Sequence, residues 1–419
     1  MPAPKPRLLP DEMLTDLARR FGTPLFVQVL DGIEAQVHKL SGFDVVRYAM
    51  KANPCLAVLR EIRRAGAHVD CVSAGELARA RAAGWTAEEI TFTSDIYDHG
   101  ALDAAVELGV HMNLGSPDMI EQYAERVPGG KVTLRVNPGF GHGHNAKVNT
   151  GGPASKHGIW HGDLADCIER ARRAGLTVTG LHMHIGSGSD LDHLRRVAAA
   201  MVDAVRVAGK SVRVISAGGG LPTPYRPEDN PLDPAPLAAV WNEARARAEE
   251  LVGHPLKVEV EPGRFLVAEG GLMLAEVRAV KSVDGAPFVL VNAGFHNLAR
   301  PMLYGAFHQI SILGRDGEPR RPTVVAGPLC EASDVFTQGS TGEPAPQELP
   351  TAEVGDLMCF HDTGAYGSSM SSVYNTMPIA PEVVVADGIP RLARPRQDPS
   401  AAMASEMALL QGEEGSVNP

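Results

Sequence analysis

The chain has 419 residues, 44% of them hydrophobic and 21% charged, with a formal charge of −11 at pH 7. That length accommodates two domains or one large barrel with an appendage, and the acidic balance argues against nucleic-acid binding as the main function. No apolar run reaches a membrane span, residues 1–10 lack a signal-peptide core, and the five scattered cysteines form no CxxC pair. The expectation is a cytoplasmic enzyme or binding protein with neither a disulfide frame nor a zinc site.

Asp11 to Phe21 carries the pattern of an amphipathic helix and Pro24 to Leu30 that of a strand. A regular alternation then begins. Strand-like apolar runs occur at Val45–Met50, His68–Ser73, Ile90–Thr93, His111–Leu114, Val132–Val136, Val178–Ile185, Val212–Ser216 and Lys257–Glu261. Most gaps hold helix-patterned segments, such as Ala57–Ala65, Gly75–Ala83, Leu102–Leu108 and Leu164–Ala174. Eight strands alternating with helices predict an α/β chain folded as a (β/α)8 TIM-like barrel. An open doubly wound sheet is the alternative, but no GxGxxG turn follows the first strand. After Ala268 the runs Leu272–Ser282, Phe288–Val291, Thr323–Val325, Asp356–Phe360 and Glu382–Ala386, separated by Gly/Pro turns, predict a β-rich domain. The expected boundaries are 28–268 for the barrel and 1–27 plus 269–419 for the β-rich domain, with a frayed polar end from Gln411 to Pro419.

A barrel carries its chemistry where strands end and βα loops begin. The ends here are Lys51, then Asp70 with Ser73 and Glu76, Ser94, Asn113, Arg135, His184, Gly218–Gly220, and Glu261 with Arg264. A lysine closing an apolar strand either snorkels out or is buried, and burial lowers an amine's pKa and makes it a nucleophile. That fragment alone leaves both readings open. Gly218, Gly219 and Gly220 form a tight turn or, with bare backbone N–H groups, a phosphate cradle. Gly263-Arg264 brings a guanidinium to the same corner, where barrels commonly bind phosphate. The glycine-dense stretch Gly139–Gly152 includes His142-Gly143-His144, but no third ligand completes a metal site nearby. It reads as a mobile loop or interface element, and no metal is expected.

A lysine, a phosphate cradle, the carboxylate of Glu261 and the imidazole of His184 at one mouth fit pyridoxal 5′-phosphate (PLP). The stretches Tyr48–Pro54 (YAMKANP), His68–Glu76, His182–Ser187 (HMHIGS), Gly218–Gly220, Glu261–Arg264 (EPGR), Arg300–Tyr304 (RPMLY), Gly327–Glu331 (GPLCE) and Gly364–Gly367 (GAYG) resemble the alanine-racemase-fold PLP decarboxylases. The likeness runs from about Pro24 to about Arg396 and includes Ser155-Lys156-His157-Gly158.

The resemblance implies Lys51 as the Schiff-base lysine, His184 stacked on the cofactor ring and Glu261 at the pyridine nitrogen. Asp70, Arg135, Ser187, Gly218–Gly220, Gly263, Arg264 and Tyr366 join them in cofactor binding. It implies Cys330 as the acid that protonates Cα, reaching in from the partner subunit of a homodimer with shared active sites. Arg264, Arg300, Tyr304, Glu331 and Tyr366 are then the substrate contacts. The implied reaction is decarboxylation of meso-2,6-diaminopimelate to L-lysine and CO2, the last step of lysine biosynthesis. Arg300 and Tyr304 stand four apart, and with Arg264 they suit a distal carboxylate that ornithine lacks. Another basic amino acid (ornithine, arginine, carboxynorspermidine), racemisation, or cofactor binding without catalysis are the alternatives. Asn292 stands where the family usually has aspartate, His296-Asn297 replaces Asn-Asp, and His157 occupies a common phenylalanine position.

Overall fold

The computed structural model describes residues 5–98, 100–141, 150–184, 186 and 190–410, with backbone only for Ser405. His142, His144, Ser187 and the 411–419 end lie outside the described residues. Two compact units form, one from Asp31–Pro224 with Asp229–Ala268, the other from the residues up to Leu30, Tyr225–Glu228 and those from Glu269 onward.

Helix α1 (Asp11–Phe21) and strand β1 (Leu25–Val29) belong to the second unit, and from α2 (Ile33–His38) the chain builds the first. Its strands are β2 (Val45–Ala49), β3 (His68–Cys71), β4 (Ile90–Ser94), β5 (His111–Leu114), β6 (Lys131–Asn137), the short β7 (Ile159–Trp160), β8 (Thr177–His182), β9 (Val214–Ser216) and β10 (Lys257–Val260). The order β5-β4-β3-β2-β10-β9-β8-β6, all parallel, is closed by a β5–β6 pairing into an eight-stranded barrel, with β7 added beside the end of β6. The intervening helices include α3 (Leu56–Arg64), α4 (Ala74–Ala83), α8 (Leu191–Ala208) and α9 (Ala235–Val252).

The strands alternate in a way that explains both faces. Val69 and Cys71, Ile90 and Phe92, Met112 and Leu114, and Val132 and Leu134 are fully buried. The alternate positions are polar: Arg47, His68, Asp70, Thr91, Thr93, His111, Asn113, Thr133, Arg135, His182, Ser216 and Glu259. These bond to one another inside the barrel. Arg47 donates twice to Glu259, at 2.7 and 2.9 Å, Thr93 donates to Asp70 at 2.5 Å, and His111 meets Thr133 at 2.8 Å. Gly180 is small for this reason, since a Cβ there would lie 2.1 Å from Thr133 Oγ1.

The second unit is a nine-stranded mixed sheet. Its 13-residue strand β11 (Gly271–Val283) pairs with β1, β12 (Ala286–Val291) and β16 (Leu357–Phe360). Also present are α11 (Arg300–Tyr304), β13 (Ile310–Ile312), β14 (Arg320–Ala326), β15 (Gln347–Pro350), β17 (Glu382–Ala386), β18 (Ile389–Arg394) and α12 (Pro399–Leu410). One apolar core joins Phe26, Met273, Val289, Ile310, Val325 and Phe360, and a second joins α1 through Leu14 and Leu17 to Leu25, Leu272 and Val383.

Among the strand ends that differ from expectation, three bear on the site. β2 stops at Ala49, and Met50–Ala52 form a single 3₁₀ turn with Lys51 exposed. The turn is tied back by Tyr48 Oη donating to the Asn53 carbonyl at 3.0 Å, and Asn53 Oδ1 accepts the Cys55 N–H at 3.0 Å to open α3. β3 stops at Cys71 because Ser73 caps α4, its Oγ accepting the Glu76 N–H at 3.2 Å while Glu76 accepts the Val72 N–H at 2.8 Å. β8 ends at His182, so His184 stands beyond the ladder.

Candidate active site

Glu261 is the centre of the barrel mouth. It is 8% exposed, and its Oε2 receives His182 Nε2 at 2.7 Å while its Oε1 receives Ser216 Oγ–H at 2.7 Å. β8 and β10 are separated by β9, so the His182 contact crosses the barrel's inside. Burial pushes the Glu261 carboxyl up, but the His182 ring and the Ser216 hydroxyl outweigh it and hold the group below the usual carboxylate range.

His184 accepts the Gly219 N–H on Nδ1 at 3.2 Å, leaving the proton on Nε2. Poor solvation, then the charges of Arg135 and Lys51, push its pKa well down, so the ring is neutral. The glycine turn is a close approach on both sides. A Cβ at Gly218 would lie 2.5 Å from the Met183 carbonyl and one at Gly219 2.3 Å from that of Glu261. Gly218 and Gly220 also take positive φ, 61° and 97°.

Lys51 faces this cluster electrostatically, since its charge lowers Asp70, Glu76 and His184. Of the two readings open from sequence, the exposed one holds, because Lys51 stands in the 3₁₀ turn rather than in the strand. Asp70 is poorly solvated and near Glu261, so its carboxyl is raised well above the ordinary value despite the Thr93 hydrogen bond. Arg135, 8% exposed, lies 3.9 Å from Asp95. Asp95 also bonds His157 Nδ1 at 2.5 Å and the Gly158 N–H at 3.0 Å. Gly263 is the N-cap of the short α10 (Arg264–Val267), which Arg264 opens, partly buried.

The second unit holds the other expected residues. Cys330 is exposed, and its N–H donates to Asn375 Oδ1 at 3.1 Å. Asn375 and Thr376 both take left-handed φ, 54° and 57°, a conformation Asn tolerates and Thr resists. Buried Asp334 fixes the same loop by accepting the Phe295 N–H at 2.7 Å and the Leu329 N–H at 2.9 Å. Glu331 accepts from Tyr374 Oη at 3.5 Å, and Tyr366 has φ 58°. Arg300 is 4% exposed, bonds His308 and lies on the Tyr225 ring, and Tyr304 closes the same helix, α11. Asn292 bonds Thr23 and the Glu276 N–H inside this unit, and His296 is buried, its pKa down to about 4 through lost solvation.

The donor set fits PLP. A buried carboxylate kept ionised suits a pyridine N–H, the crowded glycine turn presents backbone without side chains, and the exposed Lys51 amine acts electrostatically on His184, which is bonded to that turn. Sequence reading missed His182 and Ser216 as the groups that hold Glu261, and Asp95, Asp334, Asn375, His308 and Tyr225 altogether. For His182 and Ser216 the signal was available, as polar residues recurring at alternate positions of otherwise apolar strands.

A TIM-type barrel with an amine, an ionised carboxylate and a glycine turn at the C-terminal ends of its strands defines a PLP-dependent enzyme, and comparison with known proteins agrees. Residues 30–268 match the family model described as pyridoxal-dependent decarboxylase, pyridoxal binding domain. The chain is 49% identical to the diaminopimelate decarboxylase of Streptomyces coelicolor over 97% of its length and 94% of that protein's. It is 46% identical to the Escherichia coli K12 enzyme of that name, over 94% and 96%. A crystal structure of a diaminopimelate decarboxylase superposes with TM-score 0.92 at 46% identity, covering 95% of this chain and 96% of that one. The Helicobacter pylori enzyme complexed with L-lysine gives 0.83 at 27%, covering 94% and 99%. The chain belongs to the diaminopimelate decarboxylase family of pyridoxal-dependent decarboxylases.

Proposed function

We propose that the protein converts meso-2,6-diaminopimelate to L-lysine and CO2 with PLP as cofactor, as the last step of lysine biosynthesis. The observation that carries this reading is the Glu261 carboxylate, kept ionised in the barrel by His182 and Ser216. When bound, PLP supplies an electron sink for the pair left on Cα as CO2 departs. Lys51 would hold the cofactor through its amine. Glu261 would accept from a protonated pyridine nitrogen, and His184 would contact the cofactor ring. Gly218–Gly220, Gly263, Arg264 and Tyr366 would hold the phosphate, and Ser187, Asp70 and Arg135 would also contribute to cofactor binding.

Cys330 returns a proton to Cα from its thiol, acting across a homodimer interface at which two active sites are shared. Arg300, with Tyr304 and Arg264, binds the distal carboxylate, and Glu331 takes the distal ammonium. The setting is cytoplasmic. Among the described residues no helix is long and apolar enough to cross a membrane.

The test is release of lysine and CO2 from diaminopimelate with and without added PLP. Lysine formation that depends on PLP and disappears in Lys51→Ala supports the reading. Turnover unaffected by that substitution overturns it.

A further inference from the structure

Arg300 is held by two groups that no catalytic role explains. Its Nη1 donates to His308 Nε2 at 2.8 Å, and its guanidinium carbon lies 4.4 Å from the Tyr225 ring centroid. A guanidinium only donates, so His308 Nε2 must be the accepting nitrogen. The other ring nitrogen, Nδ1, lies 2.8 Å from the His361 carbonyl, which only accepts. The two partners therefore fix a single neutral tautomer of His308, which is 2% exposed.

Tyr225 meets the same histidine edge-on, with ring centroids 5.4 Å apart and planes at 71°. Its own position is secured next door, where Arg226 lies 4.4 Å over the Phe307 ring. This also explains why Tyr225–Glu228 leaves the barrel unit and joins the second one. Stacking fixes the plane of the guanidinium and the His308 bond fixes its rotation within that plane.

We propose that His308 and Tyr225 are positioning residues that set specificity for a distal carboxylate by presenting Arg300 in one orientation. The inference rests on the reading of Arg300 as the group that binds that carboxylate. A swivelling guanidinium must lose freedom on binding, whereas a fixed one binds a planar carboxylate with no such loss.

The test compares two ligands of the holoenzyme that differ only in that carboxylate, L-lysine and 1,5-diaminopentane. His308→Leu and Tyr225→Leu lower lysine affinity about tenfold and raise KM for diaminopimelate with kcat nearly kept. They leave affinity for 1,5-diaminopentane and bound-cofactor absorbance as in the parent, whatever the lost hydrogen bond or ring costs in Tm. His308→Gln, with an acceptor near the Nε2 position, and Tyr225→Phe, which keeps the ring, restore lysine affinity. Should one Leu variant fail to fold, the other carries the test. Lysine affinity unchanged in the Leu variants, while Arg300→Ala abolishes it, overturns the inference and leaves the Arg300 reading standing. Equal loss of both ligands assigns the pair a structural role and also overturns it. Lysine affinity unaffected by Arg300→Ala removes the reading and the inference together.

Discussion

His182 Nε2 lies 2.7 Å from Glu261 Oε2 across the interior of the barrel, while the other nitrogen of the same ring is buried without a hydrogen-bond partner among the described residues. A buried imidazole left unsatisfied on one side is costly, and what it gains here is an ionised carboxylate at the mouth. With its folded value lowered, Glu261 contributes stability that is present above the ordinary carboxylate value of 4.5 and is lost as pH falls through the lowered one. His182→Leu removes the donor and lets the carboxyl rise. It is expected to weaken PLP retention and to cut kcat by about tenfold or more, the worth of one hydrogen bond to a charged group. His182→Gln, which keeps an N–H near the same place, should recover most of both. Equilibrium dialysis of the cofactor and steady-state kinetics read the two effects separately.

Cys330 differs from the other four cysteines in being exposed. Burial pushes the Cys359 thiol up to about 12, and it raises Cys71 and Cys167 as well, so these form little thiolate near neutrality. Iodoacetamide at pH 8 should therefore label a single site per chain, and mass spectrometry should place it at Cys330. Labelling or Cys330→Ala is expected to lower kcat by about 10²–10⁴ with little change in KM, as removal of a general acid does. Asn375→Gly keeps the left-handed backbone at φ 54° but removes the acceptor of the Cys330 N–H. It should reproduce part of the kcat loss at unchanged Tm.

Deeper in the barrel, Arg47 and Glu259 form a bidentate pair with side chains only 10% and 11% exposed. Removing one partner strands the other charge, at a cost of about 3–5 kcal/mol. Glu259→Leu should thus lower Tm sharply, and the double variant Arg47→Met/Glu259→Leu should recover most of the loss. Equal Tm values for the single and double variants would show that the stranded Arg47 charge is not the source of the loss.

How far such features can be read from sequence depends on whether they are local. The eight barrel strands were legible because period-2 burial and βα spacing are written into neighbouring residues, and β17 was legible from Glu382 to Ala386 for the same reason. β13, with three residues, and β15, with four, were not, because they take their pairing from distant strands. Glu261 and Arg264 could be read as site residues because they share a motif. Tyr225 and His308 are 83 positions apart in number and meet only through the fold. Met50 reads as strand because it is apolar, while the turn it opens is fixed by Asn53 and Tyr48 downstream and upstream of it.

His157 gives the last test. Its Nδ1 bonds Asp95 Oδ2 at 2.5 Å, and the neighbouring Gly158 N–H reaches Oδ1 at 3.0 Å. Burial raises the Asp95 carboxyl, but the His157 hydrogen bond and the Arg135 charge bring it below its ordinary value of 3.8. With a lowered folded pKa, the Asp95 contribution is fully present above 3.8 and is lost as pH falls through the folded value. His157→Phe removes the donor but keeps a ring of similar bulk. The expected destabilisation is about 1–3 kcal/mol at pH 7, shrinking toward zero as the solution is acidified and Asp95 takes up its proton. Urea unfolding of parent and variant at several pH values measures it. A deficit that stayed constant down to low pH would mean that packing of the ring, and not the Asp95 bond, is what His157 contributes.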